Sequence, residues 1–406
     1  MSSWKTIEGS LATPEGFAAS ATRAGFKRDP KALDLALIYS EAEHTSAAGV
    51  FTTNRAAAAP VLLSRRRLAQ SRGRARAVVV NAGNANACTG RAGMATAQKS
   101  ALVAAELLGV PHGQVLVAST GVIGAPFEAS RITSRLPALC ASLADGRAGD
   151  AARAIMTTDT FPKSCVLHAQ VKGRPVHLAG IAKGSGMIHP RMATMLSFIT
   201  TDVGLDPPDL ARMLRTAVDA SFNRVTVDGD TSTNDTVLVL ASGLSGVMAR
   251  PRTREAGFFL DGLTQLSVDL ARMIAKDGEG ATKLVTVNVR GARTQRDADL
   301  AARAIANSPL VKTAIAGSDP NWGRILCAAG YSGAEFDPAK TEIRVNKLPL
   351  CRKGVQAGIN DAAAAAELSK PELTLQIDFH QGRATSRIWT CDLTHGYITI
   401  NASYRS

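Results

Sequence analysis

The run GIAKGSGMIHPRMATMLSFITTD, residues 180–202, sets three glycines, Lys183, His189 and Pro190 directly before an Ala193–Thr194 pair, with a β-branched, strand-like sequence behind it. A threonine at the start of a strand ordinarily serves the pleat, which suits β-branched side chains. Here the glycine-rich approach lets the backbone bend tightly enough for a hydroxyl to meet the carbonyl before it. Ala193 adds little bulk beside that carbonyl. Attack of the Thr194 hydroxyl on the Ala193 carbonyl carbon is an N-to-O acyl shift, and hydrolysis of the resulting ester frees Thr194 as a new N-terminus. Its α-amino group, with an ordinary pKa of about 7.7–8, then serves as general base for its own hydroxyl. The loop is thus a candidate cleavage site as well as a connector.

Other chemistries find less support. The sequence has no Gly-Lys dipeptide and so no Walker A loop, no H-E-x-x-H and no G-x-S-x-G. The glycines of NAGNANACTG do not follow dinucleotide-binding spacing. None of the six cysteines forms a C-x-x-C pair, so reduced, mostly buried thiols are expected and no metal site. The histidines are isolated from one another, and His189 reads as a solvent-facing loop residue. Asp228, Asp230 and Asp235 in VTVDGDTSTND lack the glutamate that an EF-hand requires at its twelfth position; they read as structural acids supporting the strand that follows Thr194.

The formal charge of +13 and pI near 9.8 raise nucleic acid, an anionic surface or small acidic substrates as partners. The basic residues are scattered, SRRRLAQSRGRAR at 64–76 being the one dense patch, and aromatics are only 4%, so stacking platforms for single strands are scarce. Nucleic-acid binding is therefore not expected. No window approaches 18 uninterrupted apolar residues, so no membrane span is expected. The opening MSSWKTIEGSLATPEGF has neither the basic and apolar regions of a signal peptide nor the arginine-rich look of a transit peptide, which points to a cytoplasmic address.

The elements that must hold these residues alternate. ALDLALIYS (32–40), AAGVFTTN (47–54), RARAVVVNAGN and QVLVASTGVIG read as strands, and GMATAQKSALVAAELLG as a helix closed by Gly109. GDAARAIMTTD reads as a second helix, and KSCVLHAQVKGRPVHLAGIAKG as a hairpin turning at Gly173. Further on, helices are expected at 208–221, 260–277, 297–317 and 361–369, and strands at 236–243 and 283–292. TEIRVNKL, ELTLQIDF, ATSRIWTCDLT and the terminal YITINASY complete a strand-rich end; the last alternates polar and apolar residues with a period of two. Strands and helices alternate without a strict βαβ rhythm, which favours an α+β or layered sandwich architecture.

Seven motifs in order, GVFTTNRAAAAPV, VVNAGNANACTG, ASTGVIG, GSGMIHPRMATML, SFNRVTVDGDTSTND, GSDPNWGRI and YITINASYRS, resemble those of the ornithine acetyltransferase (glutamate N-acetyltransferase) family over essentially the full length. The resemblance implies an α-β-β-α sandwich with a smaller C-terminal α/β domain. It implies self-cleavage between Ala193 and Thr194 into fragments 1–193 and 194–406, two copies of each forming a heterotetramer. Thr194 would take the acetyl group from N-acetylornithine and pass it to glutamate, with no resident cofactor; acetyl-coenzyme A is a second candidate donor. Thr120 and Gly121 match the family's oxyanion-hole pair. Thr157 (or its neighbour Thr158), Lys183, Thr194, Glu279, Asn401 and Ser406 match its substrate contacts. Lys183 offers a positive charge to a carboxylate or oxyanion, and Glu279 a negative charge to an ammonium. Two positions depart from the family's pattern: Arg191 stands where asparagine is frequent, which bears on the rate of cleavage, and Ser406 where threonine is, which retains a hydroxyl. The nearest alternative is a self-processing amidohydrolase or aminopeptidase of the same fold, in which water takes the acyl group from the threonine.

Overall fold

The structure, a computed structural model, describes residues 1–144, 147–189, 195–358 and 360–403. Its first ten strands are β1 (Lys5–Thr6), β2 (Phe17–Thr22), β3 (Leu35–Ser40), β4 (Ser46–Phe51), β5 (Ala77–Asn84), β6 (Val115–Val122), β7 (Lys163–Val171), β8 (Arg174–Lys183), β9 (Leu196–Thr201) and β10 (Thr236–Ala241). They form two sheets, ordered β1-β7-β8-β9-β10-β4 and β2-β3-β5-β6.

The period-two alternation of these strands makes the layers. Ala36, Ile38, Val78, Val80, Leu116 and Ala118 of the second sheet share a core with Ile181, Leu196, Phe198, Leu238 and Leu240 of the first. The intervening residues, Leu35, Leu37, Ala77, Val79, Val115 and Val117, pack instead with Leu63, Ala97, Ala101 and Ala104 of helices Ala59–Gln70 and Gly90–Leu108. On the far side of the first sheet, Leu178, Ile199, Val237 and Val239 meet helices Pro207–Ala220 and Arg254–Lys276. The order is helix, sheet, sheet, helix, as expected. Each fully buried Leu, Val or Phe contributes about 1.5–3 kcal/mol relative to exposure, so the alternation itself fixes the strand register.

Among the described residues the C-terminal unit has six strands: β11 (Leu284–Ala292), β12 (Glu342–Val345), β13 (Leu348–Arg352), β14 (Val355–Gln356), β15 (Glu372–Asp378) and β16 (Ala384–Cys391), ordered β14-β13-β12-β15-β11-β16. Val285, Val287, Leu375 and Ile388 pack there against Ala301, Ile305 and Ile315, while Leu284, Trp389 and Cys391 join the sandwich core.

Four expectations change. The helix expected over 297–317 is two, Gln295–Asn307 and Pro309–Ala316: Pro309 starts the second, and Ser308 accepts from the Val311 N–H as its cap. GDAARAIMTTD is helical only over Asp150–Ala154. Of the six cysteines, all free, only Cys165, Cys351 and Cys391 are buried, and Cys88 and Cys327 are exposed. The fourth change is the terminal YITINASY, which is no strand: His395–Ser403 is helical. The period-two signal lost to tertiary contacts at helical spacing. Tyr397 and Asn401, four residues apart, share one helix face; the Tyr397 hydroxyl reaches Asp228 at 3.4 Å and the Asn401 amide reaches Glu279 at 2.7 Å.

Candidate active site

The carboxyl ends of β5, β6 and β8 converge on a pocket of about 560 Å³, counting its open mouth. It is lined by Thr120, Gly121, Thr157, Thr158, Lys183, Glu279 and Asn401, together with Ala85, Ile123, Gly186, Met187 and the Ser232–Asn234 loop. The described residues that the sequence assigned to the site are thus brought together. Ala193, Thr194 and Ser406, and with them Arg191, lie outside the described residues.

Thr120 and Gly121 sit where β6 ends against a register shift in β5 at Gly83 and Asn84. Such a bulge re-aims the backbone at the rim of a sheet. Gly121 has φ +126, and a Cβ there would lie 2.3 Å from the Gly83 carbonyl carbon, so no other residue fits without moving the strand. The VDGDTSTND segment ties this rim down: the Asn234 amide donates to the carbonyls of Ala85 (2.6 Å) and Ser119 (2.8 Å).

Lys183, 2% exposed, closes β8. Its ammonium donates to Thr157 Oγ1 at 2.7 Å and to Thr120 Oγ1 at 3.5 Å. Both Thr157 and Thr158 line the pocket, and Thr157 is the one that meets the lysine. Behind Lys183 stands a buried chain of alternating charge. Asp159 lies 3.9 Å from Lys183 and 2.7 Å from Lys163, and Lys163, fully buried, also meets Asp277 at 2.5 Å. Asp159 accepts further from the backbone N–H groups of Thr157 (2.9 Å) and Gly184 (2.7 Å), which is what pulls 157–159 out of the preceding helix. Burial alone would raise the Asp159 pKa, but Lys183 and Lys163 hold it well below the usual carboxylate range. Burial pushes the Lys183 pKa down, against the pull of Asp159. Asp277 also takes Thr160 as a donor, and its carbonyl takes the Ser185 hydroxyl, so the network runs into the glycine-rich loop.

The opposite wall is the Asp277–Gly280 turn and the tail helix. The Glu279 N–H bonds the Ser185 carbonyl at 3.0 Å, and Glu279 Oε2 accepts from Asn401 at 2.7 Å. Gly280 has φ +68 and lets the helix come close, since a Cβ there would lie 2.4 Å from the Tyr397 nitrogen.

The acids of VDGDTSTND are structural in part, as expected. Asp228 accepts from the backbone of Met187 and Ile188. Asp235 Oδ1 accepts from the Met195 N–H at 2.9 Å, one residue beyond Thr194. Its other oxygen is buried with no hydrogen-bond partner among the described residues, and burial pushes its pKa well up. His189 is half-buried rather than solvent-facing, its Nδ1 3.4 Å from Thr226 Oγ1. Sequence reasoning missed Asp159, Lys163 and Asp277 as site builders. Asp159 and Lys163 are spaced four apart in TTDTFPKS, but that spacing pairs charges only on a helix, and here the partners meet across loop and strand.

The two helix-flanked sheets of the sandwich, with a pocket bearing Lys183 and edged by Gly121 at their strand ends, define an α+β protein of layered type. The chain belongs to the ArgJ family, whose family model matches residues 18–406. It is 48% identical over 98% of its length to the arginine biosynthesis bifunctional protein ArgJ of Symbiobacterium thermophilum, covering 99% of that protein. It is likewise 48% identical, over 97% of its length and 99% of the relative's, to that of Geobacter sulfurreducens. The crystal structure of the Bacillus halodurans ArgJ protein, 43% identical, superposes with a TM-score of 0.51 on 52% of this chain, using 100% of the solved chain.

Proposed function

We propose that this acetyltransferase of arginine biosynthesis carries the acetyl group of N-acetylornithine to glutamate on Thr194, freed by self-cleavage after Ala193. The observation that carries the reading is the single pocket joining Thr120, Gly121, Thr157, Lys183, Glu279 and Asn401. In it Thr120 and Gly121 receive the tetrahedral oxyanion. Lys183 supplies the positive charge near it, and Glu279 receives the substrate's ammonium. The Thr194 hydroxyl attacks the acetyl carbonyl, its proton passing through the new α-amino group to the departing amine, and ornithine leaves. The glutamate amine then takes the acetyl by the reverse path.

Cleavage after Ala193 also agrees with chain lengths. Residues 194–406 are 213 of 406, about 52%, the share of this chain that the whole Bacillus halodurans chain covers. The fragments would remain one body: β8 comes from the first and β9 and β10 from the second, and all three are neighbours in one sheet, as is β4. Two copies of each fragment, in a heterotetramer, complete the proposed assembly.

The purified protein should run as two bands of roughly 20 and 22 kDa, in proportion to length, the second starting at Thr194. Incubated with N-acetylornithine alone, the larger fragment should gain one acetyl mass, the mark of a ping-pong route. Thr194→Ala should stay whole and unlabelled. An intact chain of full activity, or transfer with no labelled fragment, sinks the reading.

A further inference from the structure

The acyl pocket is polar on most sides and apolar at one corner. β6 ends at Val122, and the alternation of its faces carries one residue further. Gly121 and Ile123 line the acyl pocket, while Val122 between them lines a separate cavity with Phe26 and Met156. Gly121 has no side chain, so Ile123 is the first bulk on that face beyond the oxyanion pair. Two residues of strand rise about 6.5–7 Å, which leaves room for a short acyl group and no more.

The corner is rigid. Ile123 packs with Ala85 against a small core of Ala58, Val61 and Ala87. The Ala85 N–H donates to the Val122 carbonyl and the Gly124 N–H to the Ala87 carbonyl, both at 2.9 Å, so a backbone bond flanks Ile123 on either side. The Asn234 amide holds the Ala85 carbonyl at 2.6 Å. A wall held this way does not yield to a longer chain, because moving it opens a close-packed core and breaks paired backbone groups. A further apolar side chain of the pocket, Met187, belongs to the other end. It follows Gly186, where a Cβ would lie 2.3 Å from the Glu279 carboxylate, and its N–H donates to Asp228. It stands on the ammonium side of the site.

We propose that Ile123, backed by Ala85, sets the length of the acyl group that the protein transfers: the acetyl methyl rests against it, and a propionyl or butyryl chain collides with it. The inference rests on the acyl-transfer reading above, in which Thr120 and Gly121 hold the carbonyl oxygen and so turn the carbon chain of the acyl group toward Ile123. The step is the same for any acyl group: the carbon–nitrogen bond of the donor breaks, a carbon–oxygen bond to Thr194 forms, and the hydroxyl proton leaves on the amine.

The test compares N-acetylornithine with N-propionylornithine as donors to glutamate in the wild type, Ile123→Val, Ile123→Ala and Met187→Ala. A methylene at a fitted apolar wall is worth about 10–200-fold in kcat/KM. The wild type should prefer acetyl by about tenfold or more, and Ile123→Ala should cut that preference about tenfold, with a smaller step for Ile123→Val. Met187→Ala should lower kcat/KM for both donors alike and keep the wild-type ratio, which a general loosening of the pocket would not. If Ile123→Ala does not fold, Ile123→Val, which removes a single methylene, carries the test. A wild type indifferent to chain length, a ratio unmoved by the Ile123 substitutions, or one moved as far by Met187→Ala overturns the proposal. Mass analysis of the 194–406 fragment after incubation with N-acetylornithine keeps the two readings apart. An acetyl-labelled fragment with an unmoved ratio sinks the length gate alone, and no label in the wild type sinks the parent reading and the gate with it.

Discussion

The two walls of the acyl pocket are built in opposite ways. The Thr120–Lys183 wall is buried and over-determined: Lys163 and Asp159 are fully enclosed and salt-bridged, and Gly121 is locked against Gly83. The Glu279–Asn401 wall is mixed: Glu279 is buried in the Asp277–Gly280 turn, but its partner Asn401 rides a terminal helix with no buried residue, its Ile398 65% exposed, tied down by Asn401 to Glu279, by Tyr397 to Asp228 and by Thr394 to the Gly280 carbonyl. A group that must meet developing charge gains from being fixed before reaction, because a preorganised donor costs no reorganisation at that moment. A group that only recognises the substrate gains from a mount that lets the substrate in and out. Breaking the first wall should therefore cost folding and turnover, and breaking the second mainly substrate affinity.

The largest effect is expected at Asp159. Asp159→Ala leaves Lys183 and Lys163 with one carboxylate fewer in a buried site, and breaking such a network costs about 3–5 kcal/mol. Denaturant unfolding should report that loss. The folded pKa of Asp159 lies below its unfolded value, so its contribution is fully present above about pH 3.9 and fades as pH falls from there toward the folded value. The gap between wild type and variant should narrow below that point. Equal midpoints at neutral pH would show that the buried chain does not hold this wall.

Thr120→Ala comes next. Losing one oxyanion donor typically costs about 10²–10³ in turnover. The side chain is buried but bonded only weakly, to Lys183 at 3.5 Å, so stability should change little. A variant as active as wild type would remove Thr120 from its assigned role, and one that unfolds would place the residue among the supports instead.

The contrast between the walls also explains what could be seen in the sequence. The strands were legible as short apolar runs such as TVLVLA, buried on both faces, and their succession with Ala- and Leu-rich helices favoured a layered α+β protein, while the α-β-β-α arrangement came through the resemblance. The site residues came through motif resemblance, and the pocket gathers those among them that are described. The charge network behind Lys183 stayed hidden, since Asp159 and Lys163, four apart, lie on loop and strand and not on a helix, and Asp277 joins them from 114 residues beyond Lys163. The tail misled for the complementary reason: its local pattern was clear, but the contacts that decide its conformation lie on Glu279 and Asp228, more than a hundred residues away.

The smallest effect, and the one that most sharpens the contrast, is expected at Asn401. Its amide donates to the Glu279 carboxylate at 2.7 Å and to the Tyr397 carbonyl at 3.0 Å, at the open side of the pocket. Asn401→Ala leaves Glu279 without that donor. A hydrogen bond to a charged group is worth about 1.5–3 kcal/mol; Glu279 is buried but Asn401 is exposed, so water entering from the Asn401 side replaces part of it, leaving a loss of about 1 kcal/mol. That corresponds to roughly a fivefold rise in KM for N-acetylornithine. Turnover should hold, because Asn401 meets neither Thr120 nor Lys183 among the described contacts. Cleavage after Ala193 should hold as well, since it needs the loop and not the tail. Initial rates over a range of N-acetylornithine, with the fragment bands as a second readout, separate these outcomes. A KM unchanged from wild type would make the tail helix a bystander. A fall in kcat of the size expected for Thr120→Ala would instead make both walls parts of one preorganised site.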